Sequence, residues 1–315
     1  MRHLWFLIAL PLLYWQQGIE SAPALKQAGV ERLGVPPDQA ETWRKAGFSP
    51  VPMSQSELES REKLPAPRIA ARVEVASPTR SPWVITNGWR FLRNGAGKYY
   101  YDLSAGPASK AALAAAEAFA YGADAVLKID PADLAEFGSM LAFLRQLPPD
   151  GMPPLADFAV VDDGSPLTGE VLNLLVRRNL LFRVVSAPSP QFRLNIKLGT
   201  KEYPKAEAAN PSEFALKVRR QLTDEQRSLR VYGSEVVICR LTGDGSRARL
   251  HLINYGGREI EGLRVRLRGA YLKGEAMVAG SGRVELEDYV VSGGATEFSI
   301  PKIGIYAVVD LPAVK

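Results

Sequence analysis

Residues 110–185 read KAALAAAEAFAYGADAVLKIDPADLAEFGSMLAFLRQLPPDGMPPLADFAVVDDGSPLTGEVLNLLVRRNLLFRVV, and their alternation decides the fold. An alanine-rich helix over 109–123 gives way to a short apolar strand at 124–129, and an amphipathic helix over 131–147 precedes a strand at 158–163. A third helix over 166–179 then leads to a strand at 181–185. Strands separated by helices of this length are joined by crossovers, so they form a parallel sheet or barrel, with loops at the strand C-termini building any site. Asp130, Asp162 and Asp163 fall at such ends.

Toward the N-terminus the same βα rhythm continues. A strand at 29–35 precedes a helix over 38–46, with Asp38 suited to its N-cap. A strand at 48–53 is followed by a short helix in which Ser54 and Glu57 have capping-box spacing, and then by a strand at 68–77. Between Pro78 and Gly106 the rhythm breaks: WVIT (83–86) and KYYYDL (98–103) are joined by a Gly-rich and Asn-rich connection with no room for a helix. The count comes to about eight strands, the number that closes a barrel. The span is shorter than the ~250 residues usual for that fold. The expectation is therefore an incomplete, barrel-like parallel α/β domain over 20–222, with an open doubly wound sheet as the alternative.

The two ends differ in character. Leu4–Trp15 is an uncharged apolar run of secretory-leader length, too short for a comfortable membrane span, so residues 1–19 read as a signal peptide or N-terminal anchor. That predicts an exported protein, periplasmic or extracellular, touching a membrane only through an uncleaved leader. Glu20 stands where the residue before a cut is usually small, which leaves the anchor open. Past Leu229 helical patterns vanish, and short alternating strands separated by GDG, GGRE, GSG and SGG turns predict an antiparallel β-sandwich over 223–315.

Composition removes several function classes. The 315 residues are 46% hydrophobic and 23% charged with a net charge of +5, ordinary for a globular chain. The basic residues are scattered and accompany no nucleic-acid reader motif, so no nucleic-acid partner is expected. Outside the leader there is one histidine, His251, and the single cysteine, Cys239, lies in an apolar strand. Neither a His-based triad nor a multi-histidine metal site can be assembled. No phosphate loop or dinucleotide fingerprint is present, and neither cofactor nor metal is expected.

Carboxylates and aromatics remain. Glycosidic hydrolysis requires two carboxylates and neither His nor Cys. Asp102, Asp130, Asp162 and Asp163 stand at strand ends, although Asp130-Pro131 and Asp163-Gly164-Ser165-Pro166 also suit helix entry. Asp130 with Asp162 or Asp163 are the catalytic candidates. Trp83, Asn87, Trp89, Arg90 and Tyr101, with Asp102, combine flat rings and bidentate polar groups and are the candidate sugar-binding set. Three successive tyrosines, Tyr99–Tyr101, must alternate faces, so at least one packs into a core. Glu117, inside a helix, reads as surface or packing.

Residues 115–147, then 156–185, then HLINYGGREIEGLRVRLRG (251–269) resemble in order and character the later part of multidomain glycoside hydrolases of the beta-galactosidase type. That resemblance implies a barrel, an amidotransferase-like α/β segment and a closing β-sandwich, with carbohydrate as the partner. The chain departs from the family at the paired catalytic glutamates: Asn87 is followed by Gly88 rather than Glu, and Glu74 lies inside a predicted strand. The expected function is an exported carbohydrate-active protein, a glycoside hydrolase if active. The alternative is a trimmed, non-catalytic glycan-binding or cell-envelope protein. The oligomeric state is left open.

Overall fold

The structure, a computed structural model, describes residues 10–70, 83–95, 97–104 and 110–314. The chain divides into two units, Met1–Arg68 with Asn94–Gly151, and Ile69–Arg93 with Met152–Lys315. Strands and helices are numbered along the chain.

In the first unit six strands form one sheet: β1 (Leu12–Tyr14), β2 (Arg32–Val35), β3 (Ser49–Pro52), β4 (Glu62–Leu64), β7 (Lys98–Leu103) and β8 (Asp124–Ile129). Their order is β3-β2-β1-β8-β7-β4 and every pairing is parallel. The last strand of this sheet is hydrogen-bonded to the first, which is the cyclic order of a barrel, broken between β3 and β4. The sequence of β3 accounts for the break. Ser49 N–H donates to the Glu31 carbonyl and Met53 N–H to the Val35 carbonyl, both at 2.8 Å. Residues 49, 51 and 53 thus face β2, and the positions facing the other edge are Pro50 and Pro52, which have no N–H to offer.

The apolar run read as a leader supplies β1, which lies between β2 and β8 with Leu13, Tyr14 and Trp15 buried; cleavage after residue 19 would remove it. The eight-strand count is corrected. Residues 158–161 and 182–185 belong to a separate sheet, because helix–strand alternation does not say which sheet a βα unit joins. Residues 71–77 of one expected strand lie outside the described residues.

Helices α1 (Ala22–Gln27), α2 (Ala40–Lys45), α3 (Gln55–Glu59), α5 (Ala111–Tyr121) and α6 (Leu134–Gln146) belong to this unit. The Ser54 and Glu57 capping box opens α3 as its spacing predicts. Asp38 instead lies within a 3-10 turn, Pro37–Gln39, ahead of α2. Gly122 ends α5 in the left-handed conformation, φ 64°. Nearly all of α5 is buried, and alanine keeps its surface small enough for neighbours to approach on every side. Gly138 on α6 serves a similar purpose: a β-carbon there would overlap the Ala28 carbonyl at the end of α1. On one face of the sheet Leu12, Tyr14, Tyr100 and Val126 pack with Met53 and Leu58.

In the second unit β5 (Arg68–Ala70) and β6 (Trp83–Ile85) form a short pair, followed by α4 (Gly88–Asn94). This helix corrects the expectation of none between 83–86 and 98–103: Gly88 and Asn94 stand at its two ends, with Gly95 left-handed just beyond, so these residues bound a helix and do not preclude one. A three-stranded parallel sheet, β10-β9-β11, is built from β9 (Phe158–Val161), β10 (Phe182–Val185) and β11 (Asn195–Lys197). Its helices are α7 (Pro166–Arg177), α8 (Lys205–Ala208) and α9 (Pro211–Gln226), with Asn210 capping α9 ahead of Pro211. The remaining strands make two antiparallel sheets. One, β12-β15-β19-β18, uses Leu229–Tyr232, Ile260–Arg268, Ala295–Ile303 and Glu287–Ser292. The other, β13-β14-β20-β16-β17, uses Val237–Gly243, Arg247–Asn254, Tyr306–Pro312, Glu275–Val278 and Gly282–Glu285. Their apolar faces share one core that includes Leu250, Leu252, Val265, Phe298, Ile300 and Val309. The architecture is parallel α/β followed by an antiparallel β-sandwich, as the sequence predicts.

Candidate functional site

Parallel strands present their C-terminal ends to the loops that make a site. In the first unit three such ends, those of β1, β7 and β8, surround a cavity of about 210 Å³ lined by Tyr14, Trp15, Gln16, Ser104, Lys128 and Asp130, among others. The sheet register arranges part of this wall. Tyr14 pairs with Lys128, and Lys128 pairs with Asp102, so a phenol, an ammonium and a carboxylate stand in one row across three strands. Asp102 accepts from the Ser104 hydroxyl at 2.7 Å and lies 3.5 Å from the Lys63 ammonium. Burial pushes its carboxyl up, but the Ser104 hydrogen bonds and the charges of Lys128 and Lys63 outweigh this and hold it below the usual carboxylate range. Burial, with the neighbouring Asp102 charge, pushes the Tyr100 phenol up to about 12, so it remains a neutral hydroxyl at physiological pH. The Trp15 indole N–H donates to the Ser21 hydroxyl at 2.7 Å, and that hydroxyl donates to the Gly18 carbonyl at 2.6 Å, which fixes the loop after β1.

The expected catalytic carboxylates are divided between the two units. Asp130 belongs to the first unit and Asp162 and Asp163 to the second. Each is engaged locally. Asp130 accepts from Ala132 N–H at 2.9 Å and caps the 3-10 turn Pro131–Asp133. Asp162 is gripped by Arg93 and accepts from Gly164 N–H at 3.0 Å. Asp163 accepts from Ser165 N–H at 3.0 Å and from the Thr168 hydroxyl at 2.6 Å, holding the turn into α7. Each of the three carboxylates thus has partners at a helix entry or in an ion pair.

The aromatic set is likewise divided. In the second unit the Arg177 guanidinium lies 3.7 Å from the Trp83 ring centroid and that of Arg90 4.2 Å from the Trp89 ring, so one face of each indole carries a cation rather than standing open for a sugar. Trp89 also packs over Gly169 of α7. Asn87 is fully buried, and its carbonyl accepts from Arg90 and Phe91 N–H at the start of α4. In the first unit Tyr101 is fully buried and its hydroxyl donates to Glu117 at 2.7 Å, which makes both packing residues of the β7–α5 interface. Asp102 alone of the expected sugar-binding set adjoins the cavity, through Ser104 and Lys128.

His251 and Cys239 are core residues of the sandwich: His251 Nδ1 lies 2.6 Å from the Tyr306 hydroxyl, and burial pushes the Cys239 thiol far up. Among the described residues no three His, Cys, Asp or Glu side chains gather as metal ligands, and no helix is long and apolar enough to cross a membrane.

Tyr14, Gln16, Ser104 and Lys128 are the site residues that sequence reading missed. Tyr14 and Gln16 fall in or beside the run read as a leader. For Lys128 the signal was its place one residue short of a strand end, on the face shared with Val126.

No family model matches the sequence, and no curated protein matches it. Among solved structures the chain is similar to an alpha-L-fucosidase isoenzyme from Paenibacillus thiaminolyticus, with 10% identity and a TM-score of 0.54 over 70% of this chain and 61% of the fucosidase. It also resembles a rhamnosidase from Novosphingobium, with 10% identity and a TM-score of 0.45 over 69% of this chain and 31% of that one. A third similar structure is a GH42 beta-galactosidase from G. stearothermophilus, with 9% identity and a TM-score of 0.38 over 75% of this chain and 52% of that one. The chain thus shares the fold of the fucosidase over the matched part, and it spans less than two thirds of each of these structures.

Proposed function

We propose that this protein binds carbohydrate at the C-terminal mouth of its parallel sheet without hydrolysing it. The observation that carries the reading is the chemistry of the cavity wall. Its hydroxyl, amide, indole and ammonium groups suit a sugar's hydroxyl rim and apolar ring face. Among the described residues Asp130 is the one carboxylate in that wall, and it is engaged as a helix cap; Asp102 beside it is paired with Lys63 and Ser104. Both hydrolytic mechanisms for glycosides typically need two carboxyl groups at a set separation. Such a constellation is not found among the described residues of the mouth. The fold likeness to glycoside hydrolases supports the glycan assignment.

The test is a glycan array with the intact protein, run beside a panel of nitrophenyl glycosides. The expected outcome is selective glycan binding with no nitrophenol release above the uncatalysed rate. Lys128→Ala should weaken that binding by about tenfold, the loss of one charge-assisted hydrogen bond in a sheltered site. Catalytic turnover of any glycoside in the panel overturns the reading.

A further inference from the structure

The second unit contains a larger cleft, of about 570 Å³, at the N-terminal edge of its three-stranded parallel sheet, where Asp157 immediately precedes β9. Its volume lies within the range of about 300–1,000 Å³ of small-molecule sites. Such sites are usually lined mainly by apolar groups. This one is lined mainly by polar groups, which restricts what it can take.

Its charges balance. Asp157 and Glu202 line it with Arg193 and Arg268, so a strongly anionic or cationic ligand meets as much repulsion as attraction. Gln191, Gln221 and Gln226 add three amides, each with donor and acceptor side by side. Planar groups that offer two hydrogen-bonding atoms at fixed spacing match vicinal hydroxyls, and Phe192, which carries the Arg183 guanidinium 5.5 Å from its ring centroid, adds apolar surface at the wall but no open pair of ring faces.

The wall is also held in place. The hydroxyl of buried Tyr203 lies 3.1 Å from both Glu202 Oε1 and Gln221 Oε1. Lys217 donates to the Glu202 carbonyl at 2.7 Å. Asp157 is held by Ser228, which donates its hydroxyl at 2.5 Å and its N–H at 3.1 Å. Thr223 interrupts α9 at φ 51°, ψ 163°, a left-handed conformation unfavourable for a β-branched residue. The break separates Gln221 from Gln226, and both still reach the cleft.

We infer that this cleft is a second binding site, for a neutral polyhydroxylated ligand of the oligosaccharide class. The inference does not rest on the reading of the strand mouth, since the cleft belongs to the other unit and uses none of the same residues.

Isothermal titration of the intact protein with maltotetraose, cellotetraose, xylotetraose and mannotetraose, with tetragalacturonate as the anionic comparator, tests it. Gln191→Ala, Gln221→Ala and Arg193→Ala remove side chains at the open surface of the cleft, and thermal melts confirm that each variant folds. The expected result is binding of at least one neutral tetrasaccharide that each of two or more of these variants weakens by about tenfold, that persists in Lys128→Ala, and that Lys45→Ala, exposed and outside both sites, leaves unchanged. No binding of any neutral tetrasaccharide, binding sensitive only to Lys128→Ala or Gln16→Ala, or preferential binding of tetragalacturonate overturns the inference. The second of these leaves the mouth reading standing, so the two proposals fail separately.

Discussion

Arg93 holds Asp162 by two parallel hydrogen bonds, Nε to Oδ2 and Nη2 to Oδ1, each 2.8 Å, and its Nη2 also reaches the Ser165 carbonyl at 3.0 Å. The pair ties the end of α4 to the loop between β9 and α7. Both side chains are largely sheltered, at 15% and 19% exposure, so the interaction is less screened than a surface pair. Arg93→Met should lower unfolding stability by about 1–3 kcal/mol, read as a shift in the urea midpoint. Asp162→Ala leaves the guanidinium without its partner, so a double-mutant cycle with Arg93→Met should show a favourable coupling energy. A coupling indistinguishable from zero would refute the pairing.

The same loop predicts an acid response. Burial pushes the Asp162 carboxyl up, but the Arg93 hydrogen bonds and Gly164 N–H outweigh it and hold it below its ordinary value. The Ser165 and Thr168 side chains, with Ser165 N–H, hold Asp163 well below the usual carboxylate range as well. A carboxyl depressed in the folded state contributes stability above its unfolded value of about 3.9 and loses it as pH falls through the folded value. Urea midpoints should therefore decline below about pH 4 from these two groups. Asp163→Asn, which keeps an acceptor but cannot ionise, should make that acid limb shallower.

Tyr101 and Glu117 form a buried hydrogen-bonded pair between β7 and α5. Removing the hydroxyl withdraws a donor from a carboxylate that has no access to water there. Tyr101→Phe should destabilise the protein by about 1–3 kcal/mol in chemical denaturation. Adding Glu117→Leu should recover part of the loss, because replacing both polar partners removes the desolvation penalty along with the bond. A double variant less stable than Tyr101→Phe alone would show that Glu117 matters mainly through other partners.

Deleting residues 2–19 takes out β1 and with it Leu13, Tyr14 and Trp15. The sheet would lose the strand that joins β2 to β8, leaving two unpaired backbone edges in its interior. The expected product has no cooperative thermal transition and poorly dispersed amide proton resonances. A truncated protein that melts cooperatively would refute the central role of β1.

Local rules account for what was legible. The Ser54–Glu57 capping box and the turn-punctuated sandwich strands are set by neighbours in sequence, and the structure has them where the residues predict. The tyrosines Tyr99–Tyr101 alternate, with Tyr100 in the cluster that includes Tyr14 and Tyr101 reaching Glu117. What was not legible depends on distance along the chain or on one residue type serving two purposes. β9 and β10 write the same pattern whether they extend the first sheet or found a second. Asp130 and Asp163 accept backbone N–H bonds at the very positions where a catalytic carboxylate would stand. Leu12–Tyr14 is as apolar as a secretory leader because a strand buried on both sides needs the same composition. Lys128 drew no attention because only the pairing with β1 and β7 gives it Tyr14 and Asp102 as neighbours.

The prolines of β3 also bear on encounters between molecules. An interrupted barrel exposes a strand flank, and such a flank ordinarily invites a strand from another chain to dock, the first step of sheet-extended aggregation. With Pro50 and Pro52 at the outward positions, an incoming strand would find carbonyls but no answering N–H groups along β3. The residues that keep the ring from closing on itself therefore also keep foreign strands out of the gap.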